Sequence, residues 1–297
     1  MDETVETARA KINLALHVTG RRADGYHLIE SLVAFTELGD VLTFRTSNHD
    51  SLSISGVFAG ELAANEDNLV FKARSSLRRA AEKRGLPAPR TAIGLEKNLP
   101  VASGIGGGSA DAAACLRGLM RLWDLSPDDI DLPAIAAGLG ADVPMCLVSR
   151  PLIARGAGEN ITAIDTLPVL PVVLVNPLEA VATADVFAEL TNKNNDVLDL
   201  PDISGDLNGI VAALAATRND LQLPAAHIAP VVDEVLAALG ACHPLLARMS
   251  GSGATCFGIF HDPVEARLAG ELLRDRYPHW WVRSTMTGGT PGATGDG

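Results

Sequence analysis

The sequence predicts an α+β protein of two domains, with antiparallel or mixed sheets packed against helices. The chain has 297 residues, about twice the length of a usual single domain. Strand-like alternation and helix-like spacing follow one another in an irregular order, without the strict strand–helix repeat of a parallel α/β fold. No internal repeat is evident. We expect an N-terminal domain over residues 1–152, a C-terminal domain over 153–286, and a disordered Gly/Thr/Pro-rich tail over 287–297.

The opening strand shows the clearest alternation. Apolar side chains at the even positions from 12 to 18 share one face, and Lys11, Asn13 and His17 share the other. Apolar spacing and flanking Gly or Pro residues define the remaining elements before residue 150. Strands are predicted over 31–35, 41–45, 51–57 and 91–95, and helices over 68–84, 109–123 and 133–139.

The second half of the chain follows the same irregular order. The segment 151–164 predicts a strand, a Gly-Ala-Gly turn and a second strand, and 191–209 is polar and irregular. The other predicted elements are strands over 168–175, 256–260 and 280–285, and helices over 183–190, 229–239 and 262–277.

The charge and the aromatic content of the chain limit the kinds of partner and core that we expect. There are 24 basic and 36 acidic residues, a formal charge of −12, which argues against nucleic acid or an anionic membrane as the main partner. A small anionic ligand stays possible, because a site can be locally positive on an acidic protein. Aromatic residues make up only 4% of the chain, so we expect an aliphatic core.

The cysteines and the apolar runs indicate a cytoplasmic protein. Cys115, Cys146, Cys242 and Cys256 are widely separated and form no CxxC pair, so buried free thiols are expected rather than a zinc or redox site. The acidic N-terminus has no apolar signal core. The apolar run 167–175 contains two prolines and is far shorter than the ~20 residues of a membrane helix.

The segment from Pro100 to Asp111 is the most informative motif. Four glycines in five positions, 104 and 106–108, let successive backbone N–H groups point at one anion. The following helix adds its unpaired N-terminal donors and the positive end of its dipole. The segment therefore predicts a phosphate-binding loop, from which Ile105 projects away. Asp111, in the first helical turn, must point away from the phosphate or be screened by a cation.

Two familiar phosphate loops fit this segment poorly. A P-loop requires Lys and then Ser or Thr after its last glycine, whereas Ser109 and Ala110 follow Gly108. The dinucleotide pattern GxGxxG meets Ser109 at its final glycine position, and polar residues 96–98 separate the loop from its strand.

Three motifs, taken in order, resemble those of the GHMP small-molecule kinases. They are Ala10-Lys-Ile-Asn-Leu14, the loop Pro100-Val-Ala-Ser-Gly-Ile-Gly-Gly-Gly-Ser-Ala110, and Met249-Ser-Gly-Ser-Gly-Ala254. Gly25-Tyr-His27, Gly138-Leu-Gly-Ala-Asp-Val-Pro144 and Gly156-Ala-Gly-Glu159 resemble the branch that acts on a cytidine diphosphate-linked methylerythritol. The resemblance covers nearly the whole chain except the tail. It implies a two-domain GHMP kinase architecture, an ATP-binding N-terminal domain, an active site in the inter-domain cleft, and phosphorylation of a 2-hydroxyl in the non-mevalonate isoprenoid pathway.

The resemblance also implies roles for individual residues. Lys11 would stabilise the transferring phosphoryl group and orient Asp142. Asp142 would accept the proton of the attacking hydroxyl or position that hydroxyl, and the sequence leaves both open. ATP would bring Mg²⁺, held mainly by phosphate oxygens and water, with Ser109 as one candidate ligand and no dedicated carboxylate identified. The expected ATP-site residues are Pro100, Val101, Ala102, Ser103, Gly104, Ile105, Gly106, Gly107, Gly108, Ser109, Ala110, Asn68 and Lys97.

The cytidyl group would lie against aromatic side chains. Tyr26 and His27 would offer a stacking face and a polar partner, and Thr183 and Phe187 a second wall. Asn13, beside Lys11, completes the expected substrate site. Each residue also has a structural alternative: a helix cap for Asn68 or Asp142, a loop lysine for Lys97, and core packing for Phe187.

Three other functions stay open at this point. The nearest is a GHMP kinase for a smaller alcohol such as homoserine or mevalonate, which an aromatic cleft edge disfavours. The second is a nucleotide-binding protein of the same fold without catalysis. The third, a dinucleotide oxidoreductase, is disfavoured by the loop. The sequence does not determine the oligomeric state.

Overall fold

The computed structural model describes residues 3–200 and 206–288, and confirms the α+β class. Strands and helices alternate irregularly along the chain, as the sequence predicts. The strands are β1 (Thr4–Arg21), β2 (His27–Thr46), β3 (Ser51–Ser55), β4 (Thr91–Glu96), β5 (Leu152–Gly156), β6 (Asn160–Ala163), β7 (Pro171–Asn176), β8 (Leu246–Met249), β9 (Cys256–Ile259) and β10 (Trp281–Met286). The α-helices are α1 (Leu69–Lys83), α2 (Gly107–Leu122), α3 (Leu132–Leu139), α4 (Val143–Val148), α5 (Thr183–Glu189), α6 (Leu207–Ala215), α7 (Gln222–Ile228), α8 (Val231–Gly240) and α9 (Pro263–Arg276).

The chain divides into two compact units, each made of several segments. The first unit contains residues 1–10, 39–101 and 106–148, and the second contains 11–38, 102–105 and 149–297. This division differs from the expected single boundary after residue 152. The reason is that β1 and β2 are long strands, and each contributes residues to both units.

The first unit combines strands with helices α1 to α4. The C-terminal half of β2 pairs antiparallel with β4, and β3 pairs parallel with β4 on its other edge. Helix α1 begins where the Asn68 side chain accepts a hydrogen bond from the Val70 N–H, and it ends before Gly85, whose φ is +68°. Buried aliphatic side chains of α1 and α2 form much of the core of this unit.

The second unit contains the N-terminal half of β2 and the remaining strands. This half of β2 pairs antiparallel with β5, which pairs with β6, in the same six-stranded sheet as β3 and β4. A four-stranded sheet has the order β10-β7-β9-β8 with antiparallel neighbours. Every residue of β7 is buried, and its side chains pack with buried residues of α8 and α9 in an aliphatic core. Asp262 caps α9 by accepting hydrogen bonds from the N–H groups of Val264 and Glu265.

Several elements differ from the sequence predictions. Residues 31–35 and 41–45 belong to one continuous strand. The strand continues through Gly39 because this residue has no Cβ, which would collide there with the backbone of Ala8. Helix α2 begins at Gly107, two residues earlier than predicted, although glycine is a weak helix former. The helices α4, α6 and α7 were not predicted, because each has fewer than ten residues and shows little helical periodicity. Asp206, in the segment predicted to be irregular, caps α6.

The end of the chain also differs from the prediction. Thr287 and Gly288, assigned to the disordered tail, donate backbone hydrogen bonds to Leu170 and Phe35. The rest of that tail, 289–297, lies outside the described residues. Within 3–200 and 206–288, no helix has the length and apolarity required to cross a membrane.

Candidate active site

Lys11 and Asn13 occupy the polar side of β1, as the alternation predicts. Both are buried, and the Lys11 ammonium donates to Asn13 Oδ1 over 3.1 Å. The Asn13 amide donates to the Ser31 hydroxyl at 2.8 Å, and that hydroxyl donates to the Ala15 carbonyl at 2.6 Å. This chain of hydrogen bonds fixes the Asn13 amide orientation, so its oxygen faces Lys11. A buried ammonium held in this way is a pre-oriented positive charge.

Residues 102–105 of the predicted phosphate loop pack against the glycine turn 250–254. The Asn13 N–H donates to Ser250 Oγ, which donates to the Gly104 carbonyl, both at 3.1 Å. Gly104 has φ +75°, and a Cβ there would lie 2.6 Å from the Ser250 carbonyl oxygen. Ile105 is fully buried. The glycine turn therefore supports the loop.

The remainder of the loop leads into α2. Gly106 is the N-cap residue with φ +67°, and its carbonyl accepts the Ala110 N–H at 2.8 Å. The N–H groups of the first helical turn have no partner within a helix, so they and the dipole favour an anion. A Cβ on Gly108 would approach only Leu69, at 3.7 Å. Gly107 is buried and Gly108 is exposed, so this helix start offers an anion a bare backbone at Gly108.

Lys97 differs from its expected place in the ATP site. Its side chain is 1% exposed, and its ammonium pairs with Asp40 and, at 2.9 Å, with Asp111. We therefore place Lys97 beneath the loop rather than in contact with ATP. Asp111 was expected to point away from the phosphate or to be paired with a cation. Its carboxyl group is buried and pairs with the Lys97 ammonium.

Asn68 and Asp142 both sit at helix starts. The Asn68 side chain caps α1, and its amide also donates to the Ala63 carbonyl at 3.2 Å. A structural role as a helix cap therefore explains both of these hydrogen bonds. Asp142 directly precedes α4, and its carbonyl accepts the Cys146 N–H at 3.1 Å. Asp142 is half-buried. The roles of Asn68 in ATP binding and of Asp142 in catalysis stay predictions.

The predicted substrate residues of the second unit include a stacked pair. The rings of His27 and Phe187 have centroids 4.6 Å apart and planes inclined by 19°. His27 and Phe187, which were expected on two sides of the cytidyl group, are thus in contact with each other. Tyr26 is 63% exposed. The Thr183 hydroxyl, at the start of α5, lies 2.8 Å from the Ser252 hydroxyl. These residues form an aromatic surface with nearby hydroxyl groups.

The His27 ring has one nitrogen without a hydrogen-bond partner among the described residues. Its Nε2 is buried, and no described residue forms a hydrogen bond with it. Burial lowers the pKa of His27, and the positive charges of Arg21 and Lys193 lower it further. His27 is therefore neutral at pH 7, with one ring nitrogen able to accept and the other to donate a hydrogen bond.

Sequence analysis missed the residues that support this site. Ser250 was identified only as part of a motif, without its contacts to Asn13 and Gly104. Asn219, which donates to the carbonyls of Met249 and Gly251, was not singled out. Asp40 was also missed, although a carboxylate beside Gly39 inside a strand is an available signal. Within the described ranges, no group of three His, Cys, Asp or Glu side chains could hold a metal ion. We therefore name no magnesium ligand.

Family comparisons agree with the glycine loop and the order of motifs. The family model described as the GHMP kinases N terminal domain matches residues 68–150, and that described as GHMP kinases C terminal matches 201–279. Together they cover more than half of the chain, which belongs to the GHMP kinase family. The protein is an ATP-dependent kinase of small molecules, so the oxidoreductase alternative is wrong.

Individual relatives narrow the comparison. The chain is 55% identical over 288 residues to the 4-diphosphocytidyl-2-C-methyl-D-erythritol kinase of Agrobacterium fabrum, with 96% of each chain covered. A crystal structure of a 4-(cytidine 5'-diphospho)-2C-methyl-D-erythritol kinase matches with a TM-score of 0.79 and 35% identity, over 96% of this chain and 100% of that one. A homoserine kinase from Cytophaga hutchinsonii matches with a TM-score of 0.66 and 18% identity, over 98% and 96% of the two chains. That likeness shows the fold alone.

Proposed function

We propose that the protein transfers the γ-phosphoryl group of ATP to the 2-hydroxyl of 4-diphosphocytidyl-2-C-methyl-D-erythritol. The products are the 2-phosphate and ADP, and the reaction belongs to non-mevalonate isoprenoid biosynthesis in the cytoplasm. The observation that carries the proposal is 55% identity to a kinase of that name across 96% of both chains. The neutral His27 beside Phe187 supports it, because a base binds through stacking and hydrogen bonds.

The glycine loop holds the phosphates of ATP through the N–H groups at the start of α2. Glycines at 106, 107 and 108 keep side chains away from this backbone. Mg²⁺ accompanies ATP, is held mainly by phosphate oxygens and water, and neutralises charge on the phosphates. Residues 250–254 support the loop without contacting the phosphates.

Lys11 and Asp142 act on the reacting groups. The hydroxyl oxygen forms a bond to the γ-phosphorus while the bond from that phosphorus to the bridging oxygen of ADP breaks. Asp142 orients the hydroxyl and receives its proton as the new bond forms. Lys11, whose ammonium Asn13 holds in place, supplies positive charge to the transferring group.

The cytidyl group binds to the aromatic surface of the second unit. Tyr26 and Phe187 offer ring faces for the cytosine, and His27 offers its unpaired Nε2. Thr183 contributes a hydroxyl. A site with such polar groups discriminates against acceptors without a base, because those groups then stay unpaired.

The test is a mass-spectrometric assay of the purified protein with Mg-ATP and one acceptor at a time. The cytidyl substrate is expected to gain one phosphoryl group, while homoserine and mevalonate stay unmodified. Turnover of homoserine or mevalonate alone would contradict the cytidyl pocket and retain the kinase assignment. No product with any acceptor, despite ATP binding, would favour a protein of this fold without catalysis.

A further inference from the structure

Three buried charges lie at the start of α2. The side chains of Lys97, Asp40 and Asp111 are all at most 3% exposed. The register of β2 and β4 pairs Val41 with Glu96, which brings Asp40 and Lys97 together just beyond the ladder. Two carboxylates therefore share one ammonium in the core of the first unit. We call these three residues the buried triad.

The triad connects the backbone on both sides of the glycine loop. Before the loop, Asp40 Oδ1 accepts the N–H groups of Asn98 at 2.5 Å and Leu99 at 2.8 Å. After the loop, Asp111 is the fifth residue of α2, and its carboxylate accepts a hydrogen bond from the Lys97 ammonium at 2.9 Å. The Lys97 ammonium thus ties the strand exit that precedes the loop to the helix that follows it.

The geometry leaves little freedom at this junction. A Cβ on Gly107 would lie 3.1 Å from Lys97 Nζ, so the ammonium lies against the first residue of α2. The backbone of Lys97 is equally confined, because a Cβ on Gly56 would lie 2.6 Å from its carbonyl oxygen. A longer or displaced side chain at position 97 does not fit here.

Electrostatics keep Lys97 charged. Burial alone lowers the pKa of Lys97, but the charges of Asp111 and Asp40 outweigh burial and raise that pKa. Burial raises the pKa of Asp111, and Asp40 adds to this effect against the opposing charge of Lys97. Removal of the ammonium therefore takes away the donor that both carboxyl groups share.

We propose that Lys97 is a positioning residue for ATP: it holds the start of α2 against the strand exit at Leu99, and so aims the N–H groups of the loop at the phosphates. The inference rests on the proposed function, since it assumes that the loop binds ATP. Lys97 does not touch ATP and acts through Asp40 and Asp111. Its loss is expected to weaken ATP binding while leaving the cytidyl site unchanged.

The experiment compares Lys97→Met and Asp111→Asn with the wild-type enzyme. We measure the Kd of a non-hydrolysable ATP analogue with Mg²⁺, the KM for each substrate, and the Tm. Lys97→Met is expected to raise the Kd and the KM for ATP about tenfold or more, with less than a twofold change in the KM for the cytidyl substrate. Asp111→Asn keeps the side-chain shape and provides a second test if Lys97→Met fails to fold. It is expected to raise the Kd by a smaller factor.

The double variant tests the coupling between the two residues. If both act through one contact, Lys97→Met with Asp111→Asn raises the Kd by less than the product of the two single effects. A matched control is Asp50→Asn, because Asp50 pairs with Arg78 at 2.6 Å and accepts the Thr91 N–H within the same unit. Asp50 has no contact with the loop, so this variant is expected to lower the Tm and leave the Kd for the ATP analogue unchanged.

Two results would overturn the inference. One is a Kd for the ATP analogue within twofold of wild type in a folded Lys97→Met or Asp111→Asn variant. The other is an equal rise in the Kd for the ATP analogue in Asp50→Asn, when that variant loses as much Tm as Lys97→Met does. That result would mean that the triad contributes to stability alone. Direct binding keeps this test separate from the proposed function, because wild-type protein that binds ATP but does not phosphorylate the cytidyl substrate contradicts only the substrate assignment.

Discussion

The rings of His27 and Phe187 stack with centroids 4.6 Å apart, although they come from opposite halves of the chain. His27 is the first residue of β2, and Phe187 lies in α5 with part of its ring packed against the aliphatic core. The core therefore fixes the position of Phe187, and Phe187 in turn fixes the His27 ring. A flat, partly apolar surface of this kind is suited to a base.

Phe187→Leu is expected to raise the KM for the cytidyl substrate without changing the KM for ATP. Stacking of a base on an aromatic ring contributes about 1–3 kcal/mol, which corresponds to roughly a 5- to 150-fold change. Leucine retains most of the packing, so the Tm is expected to stay close to wild type. Steady-state kinetics with each substrate varied in turn would check this, and equal rises in both KM values would contradict it.

Asp142→Asn is expected to reduce kcat by about 100- to 10,000-fold, because the amide cannot take up the hydroxyl proton. ATP binding and the Tm are expected to change little, since asparagine also occupies helix N-caps well. The control is Asp131→Asn, which makes the same substitution at the capping residue of α3. If kcat is near wild type in the Asp142 variant, the catalytic assignment is wrong.

Two glycine substitutions in one loop are expected to differ in their effects on stability and on ATP binding. Gly104→Ala places a Cβ 2.6 Å from the Ser250 carbonyl oxygen at a φ of +75°, so the Tm should fall. Gly108→Ala meets only Leu69, at 3.7 Å, and favours the helix by about 0.5–1 kcal/mol. Its methyl group instead obstructs the phosphates, so the KM for ATP should rise while the Tm is retained. Thermal unfolding and kinetics distinguish these outcomes.

Acid is expected to destabilise the protein through His17. Its Nε2 accepts the Arg218 N–H at 3.3 Å, and its Nδ1 lies 3.1 Å from the Asp196 carbonyl, so the neutral ring fits both contacts. Burial lowers the pKa of His17 from 6.5, and the charge of Arg218 lowers it further. Below pH 6.5 the unfolded chain binds more protons than the folded one, so the free energy of unfolding decreases as the pH falls.

Urea unfolding at pH 7.5 and pH 5.5 would measure this effect. His17→Gln retains an acceptor near the Nε2 position and does not titrate, so its stability should depend less on pH than that of wild type. The exposed His261 provides the control through His261→Gln, which should keep the wild-type pH dependence. A slope in His17→Gln equal to that of wild type would exclude His17 as the cause.

The fold class and most of the strands and helices follow from the amino-acid sequence, and so does the prediction that residues 100–110 form a phosphate loop. These features depend on local chemistry: period-two alternation in β1, the Asn68 cap of α1, and glycines that expose N–H groups before α2. The order of three motifs was enough to identify the family.

Tertiary structure alone decided which polar side chains are buried and what they bind. Lys97 reads as a loop lysine, and only the pairing of β2 with β4 brings Asp40 beside it. The contact between Asn13 and Ser250 likewise joins distant segments. The continuity of β2 through Gly39 depends on the approach of Ala8. Such long-range contacts depend on how the elements pack in space. Burial of a polar or charged side chain is unfavourable unless a partner binds it, and here that partner is distant along the chain. Such a contact therefore leaves no periodic pattern in the sequence.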